Sequence, residues 1–347
     1  MMSANNLHLP TFMEFGFDKL NRDVISTGRC TSCGLCVGFC PKIEFKDDTP
    51  VFVEDYDTVC GVCYSFCPRT FLPIPAIEKS VFGKVRDDEL LGVFRDCVSA
   101  KATKSEILKR AQDGGVVTSL FAYALEEGII DGVVVTGTGK RWKPEPVVVT
   151  DYKGLLKSAG TKYTKSANIL GVKEAIESGF TKIGICGTPC HIQAVRKLQT
   201  LEEPYGLGKE NIKLTIGLFC MESFGHDFID YVGKQLGSIR GIKKFDIKKG
   251  TLIVYSKDEE KKIPLKEISQ YAMPGCAYCK DFTAELADIS VGSVGSPNGW
   301  STVFVRSEIG EGIFKAGIDQ GYIESEKSVN LEPIKKLSER KSSHEAV

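Results

Sequence analysis

Apolar residues change their rhythm twice along this chain. Positions 1–25 hold Leu9, Phe12, Met13, Phe15, Phe17 and Leu20, an apolar arm suited to packing on its own protein or to docking on a partner. Between 26 and 80 the apolar runs are short and broken by Cys, Gly and Pro. Val51, Phe52 and Val53 read there as a short strand, and 72–76 as an extended linker. From about 85 the segments lengthen and alternate in type. Helices are expected over 105–110, 116–127, 172–178 and 191–199. Strands are expected over 131–135, 146–150, 182–185 and 213–219, rich in Val and Ile and bounded by turn residues. Strands alternating with helices predict an α/β domain over 81–335. The last positions, 336–347, read as a charged, frayed tail.

Composition narrows this picture. The 347 residues are 42% hydrophobic, enough for a large buried core, and 45 basic residues balance 45 acidic ones. That balance gives no footprint for nucleic acid or an anionic membrane. No run reaches membrane-spanning length and no signal-peptide pattern opens the chain, so a cytoplasmic protein is expected, with any membrane association made through partner subunits.

Thirteen cysteines change the picture most. Cys30, Cys33, Cys36 and Cys40 follow C-x2-C-x2-C-x3-C, with Pro41 next. Cys60, Cys63 and Cys67 repeat the last three places, with Pro68 next. This is the ligand run of a bacterial ferredoxin, in which the last cysteine of each run serves the other cluster. The spacing therefore predicts a ferredoxin-like α+β iron–sulfur domain over 26–80. One [4Fe–4S] cluster would take Cys30, Cys33, Cys36 and Cys67, and a second would take Cys40, Cys60 and Cys63. The second run lacks its first cysteine; Asp57 stands three places before Cys60. A carboxylate can hold iron, so either Asp57 ligates, the site holds a three-iron cluster, or another group fills the corner.

A second cysteine set lies in the α/β region. Cys190 and Cys220 follow expected strands, and Cys276 and Cys279 form a C-x2-C turn. Ligands in α/β domains gather at the carboxyl ends of strands, so these four are a candidate set for a third cubane, with structural zinc as the competing reading. Cys186, inside a strand, and the isolated Cys97 read as packing residues. His191 reads as a helix-start residue or a neighbour of the metal site.

Three loops carry the signature of close approach by a ligand. Asp113, Gly114 and Gly115 open a helix with Thr118 and Ser119. Ser158, Thr161, Lys162 and Tyr163 make a hydroxyl-rich basic loop suited to a pyrophosphate. Gly292, Gly295, Asn298 and Trp300 make a third loop. The dinucleotide fingerprint and the P-loop are both absent.

Six separated motifs, in order, resemble the family of beta subunits of coenzyme F420-reducing hydrogenase and F420-linked formate dehydrogenase. They are Asp113-Gly114-Gly115 with Ser119; Gly187-Thr188-Pro189-Cys190-His191; Phe219-Cys220-Met221-Glu222; Cys276 and Cys279 with Lys280-Asp281-Phe282; Asp288-Ile289-Ser290-Val291-Gly292; and Trp300-Ser301-Thr302-Val303. The resemblance spans about 85–330. It implies an α/β flavin domain binding FAD, one cubane in that domain, and coenzyme F420 as the substrate, with the three loops contacting FAD or F420. It also implies a partner redox subunit or complex of the hydrogenase, formate dehydrogenase, heterodisulfide reductase or membrane F420H2 dehydrogenase type. No catalytic residue is singled out. Two other classes stay open: a flavin and iron–sulfur reductase of the same family acting on another organic substrate with ferredoxin as donor, and a pure electron-transfer subunit.

Overall fold

A computed structural model describes residues 15–54, 60–203, 205–257 and 260–343. Helical turns over Phe17–Leu20 and Asn21–Ile25 lead into the cysteine block, and Phe17, Leu20 and Val24 are buried against Ile43 and Cys63. The described part of the apolar arm thus packs on its own chain; Leu9, Phe12 and Met13 lie outside the described residues.

Each cysteine run uses the same turn. Gly34 (φ 95°) and Gly61 (φ 76°) directly follow Cys33 and Cys60 and begin the short helices Leu35–Phe39 and Val62–Ser65. Both glycines stand in the left-handed region that other residues rarely adopt. The hairpin β1 (Ile43–Lys46) and β2 (Thr49–Phe52) lies between the runs. The segment read as a linker is the start of a helix, Ile74–Phe82. Pro75 sits in its first turn, where a missing N–H costs nothing, so proline marks a helix start there and not an extended stretch.

The α/β region is built on strands β3 (Asp96–Ala102), β4 (Gly132–Thr138), β5 (Pro144–Val149), β6 (Ile183–Gly187) and β7 (Ile212–Leu218). A small lobe follows, with β8 (Lys244–Lys248), β9 (Thr251–Tyr255) and β10 (Glu260–Pro264), and then β11 (Ile289–Gly292), β12 (Ser301–Val305) and β13 (Ile323–Glu326). The large sheet has the order β13-β3-β12-β11-β7-β6-β4-β5. Strands β3, β11, β7, β6 and β4 run one way, while β5, β12 and β13 run against them.

Both faces of this sheet are covered, as central parallel strands require. Val133 and Val135 join Leu120, Phe121 and Ala124 of the helix Val116–Glu126 on one face. Val134, Ile183 and Ile185 meet Ile169, Val172, Val195 and Leu198 of the helices Asn168–Glu177 and Pro189–Thr200 on the other. Leu35, Val62 and Phe66 of the cysteine block belong to that second core, so the block is seated on the α/β domain by shared apolar contact.

Two elements differ from the reading of the sequence. A small lobe, made by the helix Asp227–Leu236 and the antiparallel sheet β10-β9-β8, has its own core of Phe228, Val232, Phe245, Leu252 and Val254. The region read as a frayed tail contains the helix Glu332–Ser342, and Lys341 on it is 1% exposed.

Candidate functional site

Because five strands run the same way, their carboxyl ends meet at one edge. The loop 113–115 follows β3, Thr188 to Cys190 follow β6, Cys220 follows β7, and the loop 293–300 follows β11. Loop 158–166 is tied to the same edge. Phe224 N donates to Tyr163 O at 2.9 Å, and Lys165 N donates to Phe224 O at 2.9 Å. His191 completes the tie. Thr188 N donates to His191 Nδ1 at 3.2 Å, which leaves the proton on Nε2 to be donated to Ser166 O at 2.8 Å. Burial lowers its pKa to about 4, so the ring is neutral and structural.

Four thiols converge there. Cys190 opens the helix Pro189–Thr200, Cys220 leaves β7, and Cys276 and Cys279 lie on the turn around Pro274–Tyr278. Thr188 Oγ1 is 3.2 Å from Cys190 Sγ, and Ser223 N donates to Cys276 Sγ at 3.4 Å. Burial pushes the Cys220 thiol well up, opposed by Lys341 and reinforced by Cys276, Cys190 and Cys279, and burial pushes Cys276 up to about 11. The buried Lys341 ammonium donates to Met221 O and offsets the charge of this thiol set.

The amino-terminal thiols fall into two groups. Cys30, Cys33, Cys36 and Cys67 line one small cavity of about 20 Å³. Burial, then Cys40 and Cys60, pushes the Cys63 thiol up to about 12. Asp57 lies outside the described residues. Among the described residues, no three His, Cys, Asp or Glu groups are close enough to share one metal ion. A tetrahedral zinc draws its sulfurs to within about 4 Å of one another.

The glycine-rich loops are shaped first by the chain itself. A Cβ on Gly114 would stand 2.5 Å from Ala100 O and 2.7 Å from Ser301 N. Ser301 Oγ accepts from Gly114 N at 3.1 Å, pinning the loop to the start of β12. A Cβ on Gly292 would overlap the Phe219 ring, and one on Gly295 (φ 97°) would lie 2.8 Å from Asn330 O. Gly114→Ala should therefore destabilise the fold by about 1–3 kcal/mol through overpacking. An unchanged denaturation midpoint in urea would refute that account.

Other side chains of these loops remain open to a ligand. Ser119 Oγ is fully buried with no hydrogen-bond partner, and Thr118 beside it is half-buried. Asp113 is raised by burial and by Asp246 of the small lobe. Gln112 spans the two, donating to Asp246 Oδ1 at 2.9 Å and accepting from Thr161 N at 3.4 Å. Burial, then the nearby Asp246, pushes the Tyr163 hydroxyl well up. Gly115, Ser158 and Thr161 are half-buried, Asn298 is exposed, and Lys101 Nζ lies 4.4 Å from the Trp300 ring centroid. Lys162 reads from the sequence as a phosphate ligand, but its ammonium donates to Ser158 O and to Gly160 O at 3.1 Å, capping the helix Tyr152–Ser158.

A buried ionic network leaves no trace in the sequence reading. Arg306 is 0% exposed and donates to Leu91 O and Val93 O at 2.8 Å each, to Ser290 Oγ at 2.6 Å and to Thr283 Oγ1 at 2.9 Å. Arg86 bridges Glu78 and Glu285 nearby. Isolated charges inside apolar runs carry no periodic signal, so only their placement in space reveals them.

Two family models match the chain: the N-terminal region of the coenzyme F420 hydrogenase/dehydrogenase beta subunit at residues 97–173, and its C terminus at residues 180–330. The coenzyme F420 hydrogenase subunit beta of Methanothermobacter thermautotrophicus is 44% identical over 73% of this chain and 92% of the relative. The chain belongs to the family of coenzyme F420 hydrogenase/dehydrogenase beta subunits. One subunit of the F420H2 dehydrogenase of Methanosarcina mazei is 34% identical over 92% of this family member and 91% of its own length. A chain in the structure of the F420-reducing [NiFe] hydrogenase complex from Methanosarcina barkeri shares the fold, with a TM-score of 0.72 and 41% identity over 75% of this chain and 92% of that one. Among the described residues no helix is long and apolar enough to cross a membrane.

Proposed function

We propose that this family member exchanges hydride with coenzyme F420 at a bound FAD and passes single electrons through three iron–sulfur clusters to or from a partner redox complex. The observation that carries this reading is the shared edge of the sheet: Cys190, Cys220, Cys276 and Cys279 lie at the same strand ends as the loops 113–119, 158–163 and 292–300. A two-electron hydride donor and one-electron carriers then meet at one place. Bound FAD supplies the exchange between hydride and single-electron chemistry.

The chain's own groups divide the work. Ser119 Oγ offers an unpaired buried hydroxyl, and the backbone at Gly115 opens the N-terminus of the helix Val116–Glu126 toward an anionic group. Cys30, Cys33, Cys36 and Cys67 would hold one cluster, Cys40, Cys60 and Cys63 a second, and Cys190, Cys220, Cys276 and Cys279 a third, four thiolates being the ligand count of a cubane.

Anaerobic mixing of the purified chain with F420H2 should bleach the flavin and then the clusters, and NADH should not replace F420H2. Iron analysis should return about twelve irons per chain, and about four, a single cubane by ligand count, would sink the three-cluster reading. The incomplete second run gives a separate test. If Asp57 is a ligand, Asp57→Ala favours a three-iron form and Asp57→Cys retains four; identical EPR spectra for wild type and Asp57→Ala would exclude the carboxylate.

A further inference from the structure

Arg69 is the side chain that touches both the cysteine block and the third thiol set. Its backbone N donates to Cys67 Sγ at 3.4 Å, and it lines the cavity of Cys30, Cys33, Cys36 and Cys67. Its guanidinium crosses to the α/β domain, donating to Tyr278 O at 3.4 Å and to Gln193 Oε1, with Cys279 Sγ at 3.9 Å. Its Nε is buried with no hydrogen-bond partner. Two other buried cations are one-sided. Lys197 donates to Cys67 O and Thr70 Oγ1, both at 2.8 Å, and Lys341 serves the third set.

We infer that Arg69 is a positioning residue that holds the third thiol set and the Cys30/Cys33/Cys36/Cys67 set as one electrostatically linked pair, the internal junction of the electron relay. The inference rests on the cluster assignment above. Each electron added to a cluster adds one negative charge, and a buried cation beside the sulfurs stabilises that reduced form, as do N–H···S contacts. One electron would pass between the two clusters, the donor oxidised and the acceptor reduced, with no proton moved. A cation shared by both would raise the two potentials together and leave the difference between them unchanged. The Cys40/Cys60/Cys63 set, where Cys60 is exposed, would then be the outer end of the relay.

EPR-monitored redox titration of the cluster-loaded full chain tests this. Arg69→Gln should lower both junction potentials by at least a tenfold change in the reduction equilibrium, about 59 mV for one electron, and leave the third potential in place. Arg69→Lys, which keeps the charge, should stay within that tenfold change. A shift of one junction potential alone, of all three equally, or of neither overturns the inference, as does an equal shift in both variants. If Arg69→Gln fails to fold, the wild type decides: with both junction clusters reduced, their signals should broaden each other, and narrow additive signals overturn the pairing. A wild-type chain that takes up no iron instead overturns the cluster assignment and is recognised before any titration.

Discussion

Cys276→Ser should cut the relay at its first one-electron station while sparing the hydride step. Cys276 belongs to the third thiol set and takes Ser223 N as a donor. A serine oxygen is a harder and less readily ionised ligand than a thiolate, so the third cluster should be lost or converted. In anaerobic stopped flow, F420H2 should still bleach the flavin, while cluster absorbance from the amino-terminal sets should no longer follow. Amino-terminal clusters that reduce at the wild-type rate would show that the third set is off the path. Iron content should fall by about one cluster's worth and no more, since the other seven cysteines are on separate turns.

Arg306→Met should be the most damaging substitution away from the cysteines. The guanidinium satisfies Leu91 O, Val93 O, Ser290 Oγ and Thr283 Oγ1 in a fully buried place, and its charge offsets Glu285 and Asp281. Methionine fills much of the volume but leaves four acceptors and a surplus of buried negative charge. Breaking a buried ionic network from one side costs about 3–5 kcal/mol. Urea denaturation of the variant and wild type measures this directly, and a loss below about 1 kcal/mol would mean that water or relaxation rescues the site. The companion variant Glu285→Gln, which removes one of the charges Arg306 offsets, should recover part of the loss. Burial, then Asp281, pushes the Glu285 carboxyl up while Arg86 and Arg306 hold it down, so with Arg306 gone a neutral amide there is less costly than a carboxylate.

How much of this is legible in the sequence follows from what kind of signal each feature leaves. The strands β4, β6 and β7 are rich in Val and Ile, so their existence is readable and only their ends move, by one to three residues. The three thiol groups are expected from spacing and from the rule that ligands gather at strand ends; in space Cys276, Cys190 and Cys279 act on Cys220, while Cys33 is near Cys190 as well as Cys67 and Cys30, and Asp57 lies outside the described residues. Pairwise contact leaves no such mark. Arg69 is one residue after a Cys-Pro pair and looks like surface charge until Cys279 is brought beside it from 210 positions away. Gly114 looks like room for a ligand, because a sequence cannot say that Ala100 O and Ser301 N already fill that room. The small lobe escapes notice because its strands are only five residues long and two of them, β8 and β10, are lysine-rich. The same mixed composition hides the helix Glu332–Ser342, whose inward face is set by Ile334, Ser338 and Lys341.

The position of Lys341 bears on how the protein is made. The thiols from Cys30 to Cys67 leave the ribosome early, together with every residue of their own turns. The third set is assembled from three distant stretches of chain, and the cation that balances its charge arrives last, on the helix Glu332–Ser342. On the proposed cluster assignment, iron could therefore be loaded into the amino-terminal turns during synthesis, whereas the inner centre would mature only after the α/β domain has closed. A pulse-labelled nascent chain stalled before residue 332 should carry iron in its first turns and none at Cys220, Cys276 and Cys279.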